Sequence, residues 1–509
     1  MYIKLTIDMT ELILDKINGY IVIKTDDPSI QPQLESRQKN YEYIHYLKKW
    51  GFVDKVFKLY ENRKPYKDGI YTFKVRRGWA SYLVTILDKK ALASQLEMLK
   101  TEVILSPSYR TVPFENLRDY QNEDMLYLMK YRVGLCQVQT GYGKTSCIAT
   151  LANYYHKLGK NVLLVAPSSK ARDELVKRCK NVFGLDVTDN DKDLNGNLDC
   201  IITSGLMISG KVKDPVRKLD FLDLLSRYQV LLADEVEYTI NPGGEFLYKG
   251  CNNLEVCYGF SGTADKQAGS TISFRGGLDE VVVRNKDLVK YFGPSLIYRM
   301  PVNRNVDNIM VRTSSLDLLK LPDFSESKNI YSDVMNCIWT DPNVCNAVVR
   351  VARAFPMTFI PINNLASIIN HWIECYFKNR FRVLLICGEG YIYYDIDGNR
   401  TSLTLDEVCD YAKRGLIDVI PSTSAGYRAL DIPGLENILL IQGKVAGVVL
   451  QSIGRVARMP HMNIITLIPK RHSVKIPVYT NGMEDRQSQL KEYYKYCNLR
   501  DIEIDEEIL

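Results

Sequence analysis

The run Val138-Gln139-Thr140-Gly141-Tyr142-Gly143-Lys144-Thr145 has the residue types that can hold a chain of phosphates. Two glycines one residue apart let backbone N–H groups turn inward. The lysine after them reaches the β and γ oxygens, and a threonine at the start of the following helix can hold Mg²⁺. Val138 stands where the strict phosphate-loop pattern has glycine, at the edge of the loop. The expected nucleotide cradle is therefore Thr140, Gly141, Tyr142, Gly143, Lys144 and Thr145, with Lys144 also catalytic. Ninety residues beyond Lys144, the apolar run QVLLA ends in Asp234-Glu235-Val236-Glu237. One carboxylate there can join a metal's oxygen shell with Thr145, and its neighbour can orient or deprotonate an attacking water. Asp234 is the expected metal ligand and Glu235 the expected base. Farther on, Arg455 and Arg458 are three residues apart and share a face if helical. A planar, permanently charged guanidinium suits a phosphoryl transition state.

These groups need a scaffold that gathers them. From about Thr111 the chain alternates short β-rich runs with helical patterns, the signature of parallel βα units. The runs GLCQV (134–138), NVLLVAP (161–167), DCIITS (199–204), QVLLADE (229–235) and VCYGFSG (256–262) form a first series. MTFIPI (357–362), RVLLIC (382–387), IDVIPST (417–423), NILLIQ (437–442) and NIITLIP (463–469) form a second. Nearly continuous apolar runs of this length suit strands covered by helices on both faces. The expected fold class is α/β, with two tandem doubly wound parallel-sheet domains of RecA-like, P-loop NTPase type and a small α+β accessory domain before them. The boundaries are set at 1–110, 111–300 and 301–475, with 476–509 as a C-terminal tail; the joint near 264–350 is less regular in pattern.

Composition agrees. The chain has 509 residues, enough for about three domains, and 46% apolar and 25% charged residues, an ordinary globular balance that excludes global disorder. Twelve cysteines with no C-x-x-C pair point to reduced thiols rather than disulfides or zinc. The start of the chain lacks the apolar core of a signal peptide and no stretch is apolar enough to span a membrane, so a cytoplasmic location is expected. Between Arg37 and Lys90, fourteen basic residues face five acidic ones, a surplus of nine against six for the whole chain. Twelve aromatics interleave with this charge and could stack on bases beside phosphate contacts. Lys74, Arg76 and Arg77 are the cluster chosen as candidate DNA contacts.

The ordered set of motifs resembles superfamily 2 helicases and translocases over roughly residues 115–470. L-R-D-Y-Q at 117–121 is similar to the family's upstream glutamine motif, which implies that Gln121 reads the adenine edge. APSSKARDEL at 166–175 and IITSG at 201–205 resemble motifs Ia and Ib, implying backbone contacts to nucleic acid from Ser168, Lys170, Thr203 and Ser204. Ser261-Gly262-Thr263 resembles motif III, which links the ATP site to the strand groove. PSTSAGYRALDIPG at 421–434 looks like motif V, implying a strand contact at Thr423 and a nucleotide contact at Asp431. Q-x-x-G-R-x-x-R at 451–458 matches motif VI, which implies catalytic roles for Gln451, Arg455 and Arg458 as arginine fingers from the second domain. Glu237 replaces the usual His or Asp of motif II, altering the relay among motifs II, III and VI, and Ala429 replaces a usual glycine.

Within the superfamily, the glutamine motif, the S-G-T motif III, the length and the small basic N-terminal domain are similar to phage branch-migration helicases of the UvsW type. The resemblance implies a DNA helicase or translocase with ATP and Mg²⁺ as cofactors. Its expected partners are single-stranded, forked or junction DNA, together with recombination or replication proteins. If phage-encoded, it would work in the host cytosol. Two other readings use the same residues: an RNA helicase or transcript-release factor, and a nucleic-acid binder gated by nucleotide without turnover.

Overall fold

A computed structural model describes residues 10–15, 20–27, 29–44, 49–65, 70–87, 96–97, 99–106, 109–138, 141–189, 193–203, 215–262, 272–276, 279–283, 286–299, 308–316, 330–362, 366–423, 432–441, 461–469 and 499–503. Its packing divides into two units, one built from Met1–Val138 and Gly143–Tyr298 and the other from Gln139–Tyr142 and Arg299–Leu509.

The first unit opens with strands β1 (Thr10–Asp15), β2 (Tyr20–Thr25), β3 (Glu35–Ile44), β4 (Lys49–Lys58), β5 (Tyr60–Pro65) and β6 (Tyr71–Arg76). Four of them form an antiparallel sheet in the order β1-β2-β6-β5, while β3 and β4 pair as a separate hairpin. The helix Ala80–Ile86 lies over this sheet and buries Ala80, Leu83 and Ile86 with Ile21, Ile23, Phe73 and Val75. Val289, from the far end of the unit, belongs to the same core. The accessory sheet is therefore packed onto the body that follows it.

That body is a six-stranded sheet. Its strands are β7 (Val133–Val138), β8 (Val162–Ala166), β9 (Leu198–Ile202), β10 (Val230–Ala233), β11 (Val256–Ser261) and β14 (Ser295–Arg299), in the order β14-β7-β11-β10-β8-β9. A short hairpin, β12 (Ile272–Gly276) and β13 (Asp279–Val283), lies between β11 and β14 in sequence. The pairs β7/β11, β11/β10, β10/β8 and β8/β9 are all parallel. Every residue of β7, β8, β10 and β11 is buried, as continuous apolar runs between two layers of helix require.

The second unit holds a nine-stranded sheet. Its strands are β15 (Asn308–Leu316), β16 (Thr358–Pro361), β17 (Val383–Cys387), β18 (Gly390–Tyr394), β19 (Arg400–Leu403), β20 (Val419–Ser422), β21 (Asn437–Leu440), β22 (His461–Pro469) and β23 (Leu499–Glu503). They run in the order β19-β18-β17-β20-β16-β21-β22-β15-β23. Among the described residues of this sheet, only the β17-β18-β19 meander is antiparallel. Alternate residues of β17 enter opposite cores: Val383 and Leu385 join the cluster around Trp339 and Trp372, while Leu384 and Ile386 join Val408 and Ile420. Both faces are thus covered, and all ten strands expected from the apolar runs are present. Beyond those ten stand the hairpin β12–β13, β14 at the edge of the first sheet, β15 beside β22, and two further features of the second sheet. The turn Asp395–Asn399 carries an antiparallel extension, and the acidic terminal stretch supplies β23, parallel to β15.

Candidate phosphate-binding site

In the first unit, five successive strands deliver the motif residues to one edge. Strands β7, β8, β9, β10 and β11 are parallel, and in this unit their C-terminal ends precede or carry Gly143–Thr145, Ser168, Thr203, Asp234–Glu237 and Ser261 respectively. Ligands of open α/β sheets bind at this edge.

After β7 the backbone turns through Gly141 at φ +87° and Gly143 at φ +94°, and the helix Lys144–Lys157 begins at once. Both angles lie in the left-handed region that favours glycine. Gly143 is further constrained by its neighbour, because a Cβ there would sit 2.5 Å from Gln121 Nε2. Gln121 lies in the helix Asp119–Leu128, and its Oε1 accepts the Arg118 N–H at 2.9 Å. The glutamine expected to read adenine is therefore anchored through its oxygen at its own helix start, with its amide nitrogen against the phosphate loop. Asn122, the next residue, was not singled out by the sequence. Its side chain accepts from Phe114 N at 2.6 Å and donates to Phe114 and Leu117 carbonyls at 3.0 and 3.1 Å, tying the 114–117 loop to this helix. Nothing in the sequence marks it, because it is one polar residue among several in a helix that also exposes Asp119, Glu123 and Tyr127.

Lys144 Nζ lies 2.9 Å from Glu235 Oε1, with both side chains largely buried. Burial alone would lower the Lys144 pKa, but Glu235, Asp234 and Glu237 outweigh it and the net shift is upward. Asp234 is pushed up to about 7, first by burial and then by the Glu235 charge, with Lys144 opposing. Asp234 Oδ1 accepts the Glu235 N–H at 3.0 Å, and Glu235 itself takes φ +43° and ψ +56°. A non-glycine residue in the left-handed region is strained by about 1–3 kcal/mol. The sequence did not signal this, since the strain belongs to the strand-to-helix turn and not to the side chain. A carboxylate and a hydroxyl, Asp234 and Thr145, are the hard oxygen donors that a Mg²⁺ ion takes. A carboxyl displaced upward beside other carboxylates is one that a dication would bring back to its charged form.

The other motif residues are placed as follows. Ser168 caps the helix Ser169–Phe183, accepting from Ala171 N at 3.4 Å. Thr203 is fully buried and its Oγ1 accepts from Asn241 Nδ2 at 2.9 Å. Glu237 and Ser261 are buried, and Thr423 N donates to Ile386 O at 2.9 Å in the second unit. Thr140, Ser204, Thr263, Asp431, Gln451, Arg455 and Arg458 lie outside the described residues, as does the side chain of Lys170.

The three residues of the expected basic cluster differ in their surroundings. Lys74 is exposed, but Arg76 is 6% exposed and pairs through Nε with Glu61 Oε1 at 2.9 Å. Arg77 donates to the Leu254 carbonyl inside the unit. The two guanidiniums are turned inward, so one side chain of the three faces solvent.

Residues 114–236 match the family model "Type III restriction enzyme, res subunit". No curated protein matches the chain. Among solved structures, T4 UvsW is similar over 96% of this chain and 98% of that one, at 15% identity and a TM-score of 0.37. S. cerevisiae Dbp5 bound to RNA and ADP BeF3 is similar over 77% and 91%, at 12% identity and a TM-score of 0.46. The ATP-dependent Type ISP restriction-modification enzyme LlaBIII bound to DNA is similar over 77% and 32%, at 11% identity and a TM-score of 0.47. Among the described residues no helix is long and apolar enough to cross a membrane. The phosphate loop, Asp234 and Glu235 all fall inside the matched residues 114–236.

Proposed function

We propose that the protein is an ATP-dependent DNA helicase or translocase acting on branched or single-stranded DNA in phage-type recombination, replication or repair. The observation that carries the ATPase part is the 2.9 Å pair of Lys144 and Glu235 beside Asp234, at the strand edge where the phosphate loop begins. In this resting arrangement the lysine and the base neutralise each other. An arriving triphosphate offers Lys144 stronger anionic partners at its β and γ oxygens. Glu235 then loses its counter-charge and is left to orient the attacking water. Mg²⁺ held by Asp234 and Thr145 would neutralise charge on the phosphates. Arg455 and Arg458 are the proposed source of positive charge for the transition state, with Gln451 beside them in the same motif and Asp431 contacting the nucleotide. The strand-contact roles of Ser168, Lys170, Ser204, Thr263 and Thr423 follow the family resemblance. DNA as the strand, and recombination or replication proteins as partners, also rest on the motif order in the sequence.

The test is steady-state ATPase with Mg²⁺, alone and with single-stranded, duplex, forked and four-way DNA and with RNA. Lys144→Ala serves as the control. Stimulation by single-stranded or branched DNA, abolished by Lys144→Ala, is the expected result. Stimulation by RNA alone would replace DNA by RNA in the reading. Absence of turnover with every polymer would leave a nucleotide-gated binder.

A further inference from the structure

The inward-turned arginines open onto a cavity that the ATP site does not use. It lies where β6 runs into Arg77 and Gly78, against the N-terminal starts of β7 and β11 at Val133 and Val256. The phosphate loop follows the opposite ends of those strands. At about 3.3 Å per residue, six residues separate the two places by roughly 17–20 Å. The cavity measures about 50 Å³. That is room for roughly three to five water-sized groups, enough for one tetrahedral oxyanion and too little for a nucleotide.

Its wall is positive. Arg76, Arg77 and Lys290 line it against one carboxylate, Glu255, which already accepts Lys160 Nζ at 2.8 Å. Arg76 and Lys290 share Glu61, at 2.9 and 3.0 Å. Arg77 has no carboxylate partner among the described residues. Its Nη1 donates to the Leu254 carbonyl, while its Nε, wholly buried, meets no acceptor among them. The Tyr291 hydroxyl on the same wall is also buried and has no hydrogen-bond partner among the described residues. Burial and the nearby Arg132 lower the Arg77 pKa to about 10, the mark of a guanidinium inside without a counter-charge. A buried charge of this kind is costly unless an anion joins it.

We propose that this cavity is a binding site for a single phosphate-class oxyanion, held by Arg77 Nε and the Tyr291 hydroxyl within the field of Lys290 and Arg76. The anion would bridge the accessory sheet and the parallel sheet, since Arg77 follows β6 and Tyr291 lies in the helix Lys286–Phe292. Free inorganic phosphate and a terminal phosphate of a nucleic-acid strand share this chemistry.

The experiment is thermal denaturation of the full chain at constant ionic strength, with the phosphate loop filled by a non-hydrolysable ATP analogue. Inorganic phosphate is titrated against chloride. In parallel, a 5′-phosphorylated oligonucleotide is compared with its 5′-hydroxyl form. Phosphate should raise the first unit's midpoint in a saturable way. Arg77→Met should weaken the apparent affinity by about tenfold or more, as expected for loss of a charged hydrogen bond. Tyr291→Phe keeps the fold if Arg77→Met does not, and should weaken the affinity severalfold. An Arg77-dependent shift with the phosphorylated strand alone would also support the site and assign the anion to a strand end. No shift in the wild type, or equal shifts in wild type and both variants, would overturn the proposal and leave the cavity to water.

Discussion

Removing Lys144 strips three buried carboxylates of their cation, and the cost should appear before any nucleotide is added. The pair is 2.9 Å long, with side chains 9% and 16% exposed, so water does little to screen it. Deleting one member of such a pair costs about 3–5 kcal/mol, because the other charge stays buried. At about 2 °C per kcal/mol for a body of this size, Lys144→Ala should lower the first unit's midpoint by roughly 6–10 °C. Glu235→Gln in the Lys144→Ala background removes the stranded charge and should return about half of the loss. The two substitutions therefore couple, and additivity would be the wrong expectation. Lower pH should shrink the Lys144→Ala deficit, since the orphaned carboxylates then take up protons. The assay is scanning calorimetry of the wild type, both single variants and the double variant, free of nucleotide and Mg²⁺. A Lys144→Ala shift under about 2 °C, or a double variant less stable than Lys144→Ala, would refute the buried-pair account.

Four further outcomes follow from the same geometry. Gly78→Ala would place a Cβ 2.0 Å from the Val289 carbonyl oxygen and 2.7 Å from that of Lys290, so the turn after β6 and the helix Lys286–Phe292 must part; a drop of several degrees in the first unit's midpoint is expected, and an unchanged midpoint would contradict the contact. Burial opposes ionisation of Glu61, yet Arg76, Tyr20 and Lys290 hold its pKa down to about 2, so its contribution is full above the usual 4.5 and lost as pH falls towards 2; Glu61→Gln should flatten acid unfolding in that window. Asp234 has the opposite sign: between its usual 3.8 and about 7 the folded state binds more protons than the unfolded one, so nucleotide-free stability should decline as pH rises, and Asp234→Asn should remove that slope. Lys74→Ala should reduce the salt slope of DNA binding by about one counterion, whereas Arg76→Ala should lower the thermal midpoint instead; a slope unchanged by Lys74→Ala would mark that lysine as mere solvated surface.

The parallel sheets were legible because β strands covered on both faces must be apolar at nearly every position, so VLLVA and VLLA carry their own identity. Elements that depend on distant partners were not. The stretch RDIEIDEEIL has no strand-like apolar run, yet Leu499–Glu503 pairs with β15 nearly two hundred residues earlier, where Ile309↔Leu499 and Val311↔Asp501 set the register. Strand β18 and its turn were missed for a related reason: GYIYY reads as a strand, but nothing local says that it reverses onto β17. The basic surplus of the N-terminal region was countable, but the direction of each charge was not. Arg76 turns inward because Glu61 sits opposite it, fifteen residues away, and Arg77 because the Leu254 carbonyl lies 177 residues away.

At the phosphate site the sequence specified which groups meet but not the state in which they meet. Motif order puts Lys144 and Glu235 after strands that run parallel in one sheet, and parallel strands bring their C-terminal ends to one edge whatever the loops do. Their pairing at 2.9 Å and the left-handed turn at Glu235 depend instead on local backbone geometry. Asp234 links the two, since its carboxylate accepts the N–H of the residue that carries the base. The residue expected to bind the metal thus also fixes the backbone of the residue expected to use water. Replacing Asp234 would disturb both at once, so its loss cannot be read as loss of metal alone. Glu235→Gln keeps the backbone hydrogen bond and the side-chain volume while removing the base, and is the substitution that separates chemistry from architecture.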